Sequence, residues 1–212
     1  EVNTLGTLNI LDALESLEMN LKKVILSSSA LVYGDTSNNI NSEEDAPLPI
    51  NHYGCSKLCM ENIAQSYFNK FPIIITRPYN YTGVGHHEKF IIPKIVKAHL
   101  TDQKYIELGN TEIYREFNDV RDVVVMYRLL MENDSSSIKV NLCSGKSHSI
   151  KEILSLMTKI SQKEIIVKFN PIYARTNEID KLSGSVIKLN KIIKYQKKYN
   201  IKDTLEWMFL SG

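Results

Sequence analysis

The segment Lys23-Val24-Ile25-Leu26-Ser27-Ser28-Ser29 starts as an apolar run and ends in three serines. A short apolar run bounded by polar residues predicts a buried strand, which we place at Lys23 to Ser27. A second strand is predicted at Pro72 to Thr76, and a helix from about Tyr53 to Asn69 lies between the two. This strand–helix–strand order is typical of a parallel α/β sheet.

Strand and helix patterns keep alternating along the rest of the chain. Apolar residues between Leu5 and Leu14 recur on one helical face. The other predicted elements are a helix from about Lys89 to Leu100, a strand near Tyr105 to Leu108, a helix over Asp119 to Met131, a strand at Ile138 to Leu142 and a helix over Ser149 to Ser161, capped by Ser149. Together they predict an α/β fold with a parallel sheet.

Length and composition are those of an ordinary globular protein. The chain has 212 residues, of which 43% are apolar and 24% charged, and its 26 basic and 24 acidic residues nearly balance. This balance gives no reason to expect a nucleic-acid partner or a membrane surface. No apolar stretch approaches the roughly 18 residues of a membrane helix, and no leader is indicated. Cys55, Cys59 and Cys143 lack ligand spacing with histidine, so we predict reduced thiols of a cytoplasmic protein and no metal site.

Tyr53 and Lys57 stand four residues apart in Tyr-Gly-Cys-Ser-Lys, a spacing that puts a phenol and an ammonium on one helical face. The positive charge favours the phenolate, so Tyr53 can give or take a proton as a ketone gains or loses hydride. Ser29, at the carboxyl end of the predicted strand, is placed to hydrogen-bond the same substrate oxygen. In a chain with 11 tyrosines one such spacing also arises by chance, so the pair alone equally fits an exposed helical pair.

Several short motifs occur in a characteristic order along the chain. They are Ser27-Ser28-Ser29-Ala30-Leu31-Val32-Tyr33-Gly34, Tyr53-Gly54-Cys55-Ser56-Lys57, Arg77-Pro78-Tyr79-Asn80-Tyr81-Thr82-Gly83-Val84-Gly85, the string from Arg115 to Asp122, Asn141-Leu142-Cys143-Ser144-Gly145, and Arg175-Thr176-Asn177-Glu178-Ile179. As a set they resemble the extended short-chain dehydrogenase/reductase family of nucleotide-sugar enzymes, also called the NAD-dependent epimerase/dehydratase family. The resemblance covers nearly the whole chain.

The resemblance implies a division into two domains. Residues 1–83 and 119–160 would form the remaining part of a doubly wound, Rossmann-like dinucleotide-binding domain. Residues 84–118 and 161–212 would form a small interleaved domain for the nucleotide-sugar substrate. The helices at Thr4 to Leu17 and Tyr53 to Asn69 resemble the pair through which family members form a homodimer.

The resemblance also assigns roles to residues around the nucleotide. Ser29, Tyr53 and Lys57 would be catalytic, and Ser27, Tyr53, Lys57 and Pro78 would contact NADP or NAD.

Four further positions would bind the substrate. Arg115 and Arg175 match the family's diphosphate-binding arginines, with Asn80 as a third polar contact, and guanidinium groups suit a diphosphate. Phe90 resembles a residue that packs near the nucleotide base. Surface ion pairing of the arginines and core packing of Phe90 are the alternatives.

One departure from the family is large. The glycine-rich phosphate loop and the residue that reads the cofactor ribose do not occur in the sequence, and Gly83-Val84-Gly85 follows the wrong strand. The sequence therefore resembles the C-terminal two-thirds of such an enzyme, either as a fragment or as a decayed form. We expect this stretch alone not to hold NADP or NAD.

Two positions discriminate between reactions within the family. In the family's dehydratases, an acidic residue occupies the position of Leu31. In the family's enzymes that epimerise C3 and C5, a cysteine occupies that position and a histidine lies near the position of Phe90. Plain reduction or 4-epimerisation remains. The later segments are most similar to GDP-sugar reductases, so we expect reduction of GDP-4-keto-6-deoxy-D-mannose to GDP-D-rhamnose. A UDP-sugar 4-epimerase and a non-catalytic nucleotide-sugar binding module are the alternatives.

Overall fold

The computed structural model describes residues 1–36, 40–101, 103–174 and 178–212. Its helices are α1 (Leu5–Ser16), α2 (His52–Ser66), α3 (Ile91–Leu100), α4 (Val120–Glu132), α5 (Ile150–Ser161), α6 (Ile187–Ile193) and α7 (Ile201–Leu210). Its strands are β1 (Val24–Ser27), β2 (Ile73–Pro78), β3 (Tyr81–Thr82), β4 (Tyr105–Leu108), β5 (Tyr114–Arg115), β6 (Asn118–Asp119), β7 (Ile138–Leu142), β8 (His148–Ser149), β9 (Ile166–Phe169) and β10 (Lys181–Leu182). Short 3₁₀ helices follow β1 at Ala30–Val32 and β9 at Pro171–Tyr173.

The first of two compact units contains residues 1–79, 125–145 and 184–195. Its sheet is parallel, in the order β1-β2-β7, and Val24 pairs with Ile73 while Ile74 pairs with Ile138. Strand β2 lies in the middle of the sheet and carries apolar residues on both faces. Its three isoleucines are therefore fully buried.

The two faces of this sheet are covered by different helices. Ile73 and Ile75 pack with α1 and α2, in a cluster that includes Leu11 and Ala64. Ile74 points the other way and packs with the C-terminal part of α4 and with α6, in a cluster that includes Met126, Leu130 and Leu189. Burying each such aliphatic side chain stabilises the fold by about 1.5–3 kcal/mol, so the alternation along β2 fixes both layers.

The second unit contains residues 80–124, 146–183 and 196–212. Its core lies between α3, α5 and α7 and includes Ile95, Ile153 and Leu205. Short sheets surround this core: parallel β3-β6 and β4-β9, and a mixed sheet in the order β10-β5-β8. A capping box of Ser149 and Glu152 starts α5, which satisfies two backbone N–H groups that the helix leaves unpaired.

The predicted α/β fold with a parallel sheet is confirmed, and the predicted strands and helices occur within a few residues of their expected bounds. The compact units assign residues 146–160 to the second unit and 184–195 to the first, which the domain prediction divides differently. The roles of the units in binding cofactor and substrate stay predictions. Within the described ranges no helix has both the length and the apolar composition needed to cross a membrane.

Candidate functional site

The carboxyl end of β1 presents three serines with different partners. The Ser27 carbonyl accepts a hydrogen bond from Lys57 Nζ at 2.8 Å. Ser28 is buried, and its hydroxyl donates to Glu61. Ser29, 8% exposed, caps the 3₁₀ helix at Ala30–Val32, because its Oγ accepts from the Leu31 N–H at 3.2 Å. Polar groups therefore collect at the edge of a parallel sheet where α/β proteins place their ligands.

Helix α2 carries the predicted tyrosine and lysine in its first two turns. The Asn51 side chain caps the helix by accepting from the Gly54 N–H at 2.8 Å. Tyr53 is 49% exposed, and Lys57 Nζ lies 5.8 Å from the centroid of its ring. The prediction that the two side chains share one helical face is confirmed.

Gly54 lets α2 approach the segment after Ser29. A Cβ added to Gly54 would lie 2.5 Å from the Leu31 carbonyl oxygen and 2.9 Å from Pro49 Cβ. A residue with a side chain would clash there, so glycine permits the contact. This approach brings α2, which carries Tyr53 and Lys57, against the segment that follows Ser29.

Burial lowers the pKa of Lys57. The ammonium is half-buried against the Ser27 carbonyl and loses hydration there, which disfavours its charged form. Lys57, next to Tyr53, thus releases its proton more readily than a surface lysine does.

The predicted cofactor contacts lie at this same edge. Ser27 ends β1, Pro78 ends β2, and the two strands pair in parallel, with Ser27 opposite Thr76. The donors that the edge offers, the Lys57 ammonium and the Tyr53 hydroxyl, suit the hydroxyls of a nicotinamide ribose. Lys57 and Tyr53 therefore suit the nicotinamide end of NADP or NAD, and contacts from Ser27 and Pro78 stay predictions.

Three of the predicted substrate residues, Asn80, Phe90 and Arg115, belong to the second unit. Asn80 is exposed, and its carbonyl accepts from the backbone N–H and the side-chain amide of Asn118, at 2.8 and 3.2 Å. Phe90, 46% exposed, precedes α3 and its ring centroid lies 4.3 Å from that of His86. Arg115 lies on β5 and donates from Nη1 to the Tyr114 carbonyl at 2.8 Å. Arg175 lies outside the described residues.

A cavity of about 420 Å³ lies next to His86 in the second unit. The loop after β3, one face of α3 and the end of α7 line it, with Pro93, Val96 and Met208 as apolar walls. Burial lowers the pKa of His86, and its Nδ1 lies 3.0 Å from the Thr82 hydroxyl.

Sequence reasoning missed the buried charges near the catalytic candidates. Glu61, one helical turn after Lys57, forms an ion pair with Arg77 on β2 and accepts from Ser28. The available signals were the four-residue step from Lys57 to Glu61 and an arginine at the end of an apolar strand.

The sequence model of the family described as GDP-mannose 4,6 dehydratase matches residues 1–208. The GDP-6-deoxy-D-talose 4-dehydrogenase of Aggregatibacter actinomycetemcomitans is 34% identical over 213 residues, which cover 98% of this chain and 71% of that protein. The GDP-6-deoxy-D-mannose reductase of Pseudomonas aeruginosa is 29% identical over 215 residues, which cover 97% of this chain and 70% of the relative.

Solved structures share this fold. A putative epimerase from Burkholderia cenocepacia is 38% identical, with a TM-score of 0.94 over 99% of this chain and 69% of that one. RMD from Pseudomonas aeruginosa, complexed with NADPH, is 27% identical, with a TM-score of 0.89 over 98% of this chain and 72% of that one.

Proposed function

We propose that this chain, which belongs to the GDP-mannose 4,6 dehydratase family, carries the catalytic groups that reduce the C4 ketone of a GDP-activated 6-deoxyhexose. The chain is an NAD(P)-dependent nucleotide-sugar oxidoreductase of the extended short-chain dehydrogenase/reductase family, as its motifs predicted. The observation that carries the proposal is the arrangement of Lys57 against the Ser27 carbonyl and the Tyr53 ring, beside Ser29.

In the proposed mechanism Tyr53 donates its phenolic proton to the C4 oxygen, and the Ser29 hydroxyl holds that oxygen by a hydrogen bond. Lys57 stabilises the phenolate that remains, because its ammonium lies on the same helical face. Ser27, Tyr53, Lys57 and Pro78 would contact the bound cofactor, with Lys57 at the nicotinamide ribose. When bound, NADPH or NADH supplies the hydride that adds to C4.

Leu31 separates this reaction from dehydration. It lies in the 3₁₀ helix that Ser29 caps, where the dehydratases that the motifs resemble carry an acid. An aliphatic side chain cannot donate a proton, so the site lacks the group that eliminates water. Phe90 lies where enzymes that epimerise C3 and C5 carry a histidine, and a phenylalanine ring cannot act as an acid or a base.

GDP-4-keto-6-deoxy-D-mannose is the substrate that we propose, with GDP-D-rhamnose as product. The likeness to a GDP-6-deoxy-D-mannose reductase supports this choice. The likeness to a GDP-6-deoxy-D-talose 4-dehydrogenase favours a second product, because 6-deoxy-D-talose differs from D-rhamnose only in configuration at C4. Both products require the same proton donor and the same ketone.

Four residues would bind the rest of the substrate. Arg115 and Arg175 would contact the diphosphate, Asn80 would add a polar contact, and Phe90 would pack near the base. Arg115 and Phe90 are partly exposed, which leaves surface for a ligand.

A nucleotide-sugar 4-epimerase is the second candidate, favoured by the putative epimerase from Burkholderia cenocepacia. An epimerase would use the same Ser29, Tyr53 and Lys57, and would return hydride to the other face of C4. The experiment is an assay of the purified protein, expressed from its whole reading frame, with GDP-4-keto-6-deoxy-D-mannose and NAD(P)H, and with UDP-glucose. Consumption of NAD(P)H with the GDP-sugar supports the proposal, whereas UDP-galactose formation without net NAD(P)H consumption would replace it by epimerisation.

We further propose a homodimer formed through α1 and α2. Leu5 and Ile10 are exposed on α1, which packs on α2 in the same unit. Exposed aliphatic residues on neighbouring helices are typical of a subunit interface. A cytoplasmic location stays a prediction of the sequence, in which Cys55, Cys59 and Cys143 do not form the pattern of a disulfide framework.

A further inference from the structure

A buried ion pair lies one helical turn from Lys57. Glu61 and Arg77 have side chains that are 0% and 1% exposed. Arg77 donates from Nε and Nη2 to the two carboxylate oxygens of Glu61, at 2.9 and 2.7 Å. Apolar residues of similar volume often stabilise a core as well as a buried pair does, so stability alone does not account for these charges.

The pair is connected to the end of β1 through Ser28. The Ser28 hydroxyl donates to Glu61 Oε1 at 2.5 Å, while the carbonyl of the preceding Ser27 accepts from Lys57 at 2.8 Å. Two consecutive residues of the strand end thus bind side chains from two consecutive turns of α2. These contacts fix both the height and the rotation of α2 against the segment that continues into Ser29.

The network also reaches the other two strands of the sheet. Arg77 Cζ lies 4.7 Å from the centroid of the Tyr33 ring, and the Tyr33 hydroxyl donates to Asn141 Oδ1 at 2.7 Å. Arg77 on β2 and Asn141 on β7 are partners in the parallel register. Asn141 Nδ2 in turn donates to the Asn41 carbonyl at 3.1 Å. One set of buried polar side chains therefore joins the carboxyl ends of β1, β2 and β7.

We propose that Glu61 and Arg77 are positioning residues, which act through Ser28 to hold Ser29 in register with Tyr53 and Lys57. This inference rests on the proposed function, because it concerns the mutual geometry of the proposed catalytic groups. A misplacement of about 1 Å in such a group can cost about 10²-fold in rate. A rigid, fully buried anchor one turn from Lys57 limits that displacement.

The test compares Ser28→Ala with Ile153→Val in the protein expressed from its whole reading frame. Ser28→Ala removes one hydrogen bond to Glu61 and leaves the ion pair, so the protein should still fold. We expect kcat to fall at least tenfold while KM changes less than about threefold. Ile153→Val trims a fully buried residue of the second unit and serves as the control for general loss of stability, with kcat unchanged.

A second readout needs no substrate. The Leu31 N–H is bonded to Ser29 Oγ, so its hydrogen exchange, followed by NMR, reports how firmly the Ser29 segment is held. We expect exchange at least tenfold faster in Ser28→Ala and in Glu61→Gln, and unchanged in Ile153→Val. If the wild type reduced no 4-keto sugar, the proposed function would fail, while this exchange would still decide the positioning role.

Two results would overturn the inference. One is a Ser28→Ala protein with kcat within twofold of the wild type and unchanged Leu31 exchange. The other is an equal loss of kcat and protection in Ile153→Val, because the network would then contribute only general stability.

Discussion

Tyr33 and Tyr53 of the first unit occupy opposite environments. Tyr33 is fully buried, and this burial raises its pKa to about 12, so it keeps its proton, and its hydroxyl donates a hydrogen bond to Asn141 Oδ1. Tyr53 is about half exposed at the start of α2 and faces Lys57. Of these two phenols, only Tyr53 can reach a bound ketone, which is why we assign the proton transfer to it.

Replacement of Tyr53 by phenylalanine should separate catalysis from binding. Tyr53→Phe removes the proton donor and keeps the ring, so kcat should fall by roughly 10²–10⁴-fold with little change in KM. Steady-state kinetics with the GDP-4-keto sugar measures both. Tyr105→Phe, which removes an exposed hydroxyl of the second unit, is the matched control and should keep full activity. A Tyr53→Phe enzyme with near wild-type kcat would refute the assignment.

Lys57 should lower stability while it supports activity. Because burial lowers its pKa, the folded protein binds this proton more weakly than the unfolded chain does. At pH values below the pKa of Lys57 in the folded protein, the charged side chain therefore lowers the free energy of unfolding. This loss of stability disappears as the pH rises through that pKa toward the ordinary value of 10.5.

Lys57→Met should thus unfold at no lower urea concentration than the wild type at pH 7, although its kcat falls by roughly 10²-fold. Any stability advantage of Lys57→Met should shrink at alkaline pH. Urea titrations at pH 7 and pH 10 test this sign. A variant clearly less stable at pH 7 would mean that the Lys57–Ser27 hydrogen bond outweighs the lost hydration.

At the residue scale the sequence predicted that Tyr53 and Lys57 share a helical face, but not the buried charges near them. The proximity of Tyr53 and Lys57 could be predicted because residues four apart on a helix lie on the same face. Glu61 and Arg77 were not predicted, because the step from Lys57 to Glu61 and the place of Arg77 after an apolar strand do not show that the two charges are buried as a pair. Only the fold brings a glutamate of α2 to an arginine of β2.

Among the elements, α2 contains Gly54, for which helix propensity and tertiary packing predict opposite effects of an alanine substitution on stability. Helix propensity alone predicts that Gly54→Ala stabilises α2 by about 1 kcal/mol. The structure predicts the opposite, because the added Cβ would lie 2.5 Å from the Leu31 carbonyl. We expect a loss of about 1–3 kcal/mol and a large fall in kcat, as the helix moves away from Ser29.

Gly6→Ala is the natural control for this substitution. Gly6 lies in α1, and a Cβ added there meets no atom within 4 Å. The variant should be about 0.5–1 kcal/mol more stable, with normal activity. Urea unfolding of both variants decides between propensity and packing: a stabilised Gly54→Ala protein would contradict the close approach.

The sequence predicted most of the longer elements but missed β9, α6 and α7. The strand at Ile138–Leu142 and the start of α5 after Ser149 agree with the prediction, because apolar runs and capping residues are local signals. The strand at Ile166–Phe169 was missed, since its side chains are exposed and show no alternation. Helix α6 was missed because lysines and asparagine hide the few residues that it buries.

On the scale of the whole molecule, the proposed dimer requires an apolar surface on α1. Ile10→Glu places a charge on an exposed apolar position, so it should leave the fold intact and shift the protein from dimer to monomer. Sedimentation at micromolar concentration measures this. Val124→Glu, at another exposed apolar position, should remain dimeric. A wild-type protein that sediments as a monomer would remove the proposal.

The α/β fold and the family were predictable because both rest on patterns that span the chain, and both are confirmed. The choice of sugar was not, because the residues assigned to it lie in short connections whose side-chain positions depend on tertiary structure. Arg115, for instance, occupies a two-residue strand.

We propose that the site reduces C4 and that its described residues offer no acid–base group to C3 or C5. The most direct measurement is NMR of the product formed from GDP-4-keto-6-deoxy-D-mannose and NAD(P)H in heavy water. We predict a GDP-6-deoxyhexose with a C4 alcohol, unchanged configuration at C3 and C5, and no solvent deuterium at those carbons above the non-enzymatic background. Stoichiometric deuterium at C3 or C5, or GDP-fucose as product, would contradict the account.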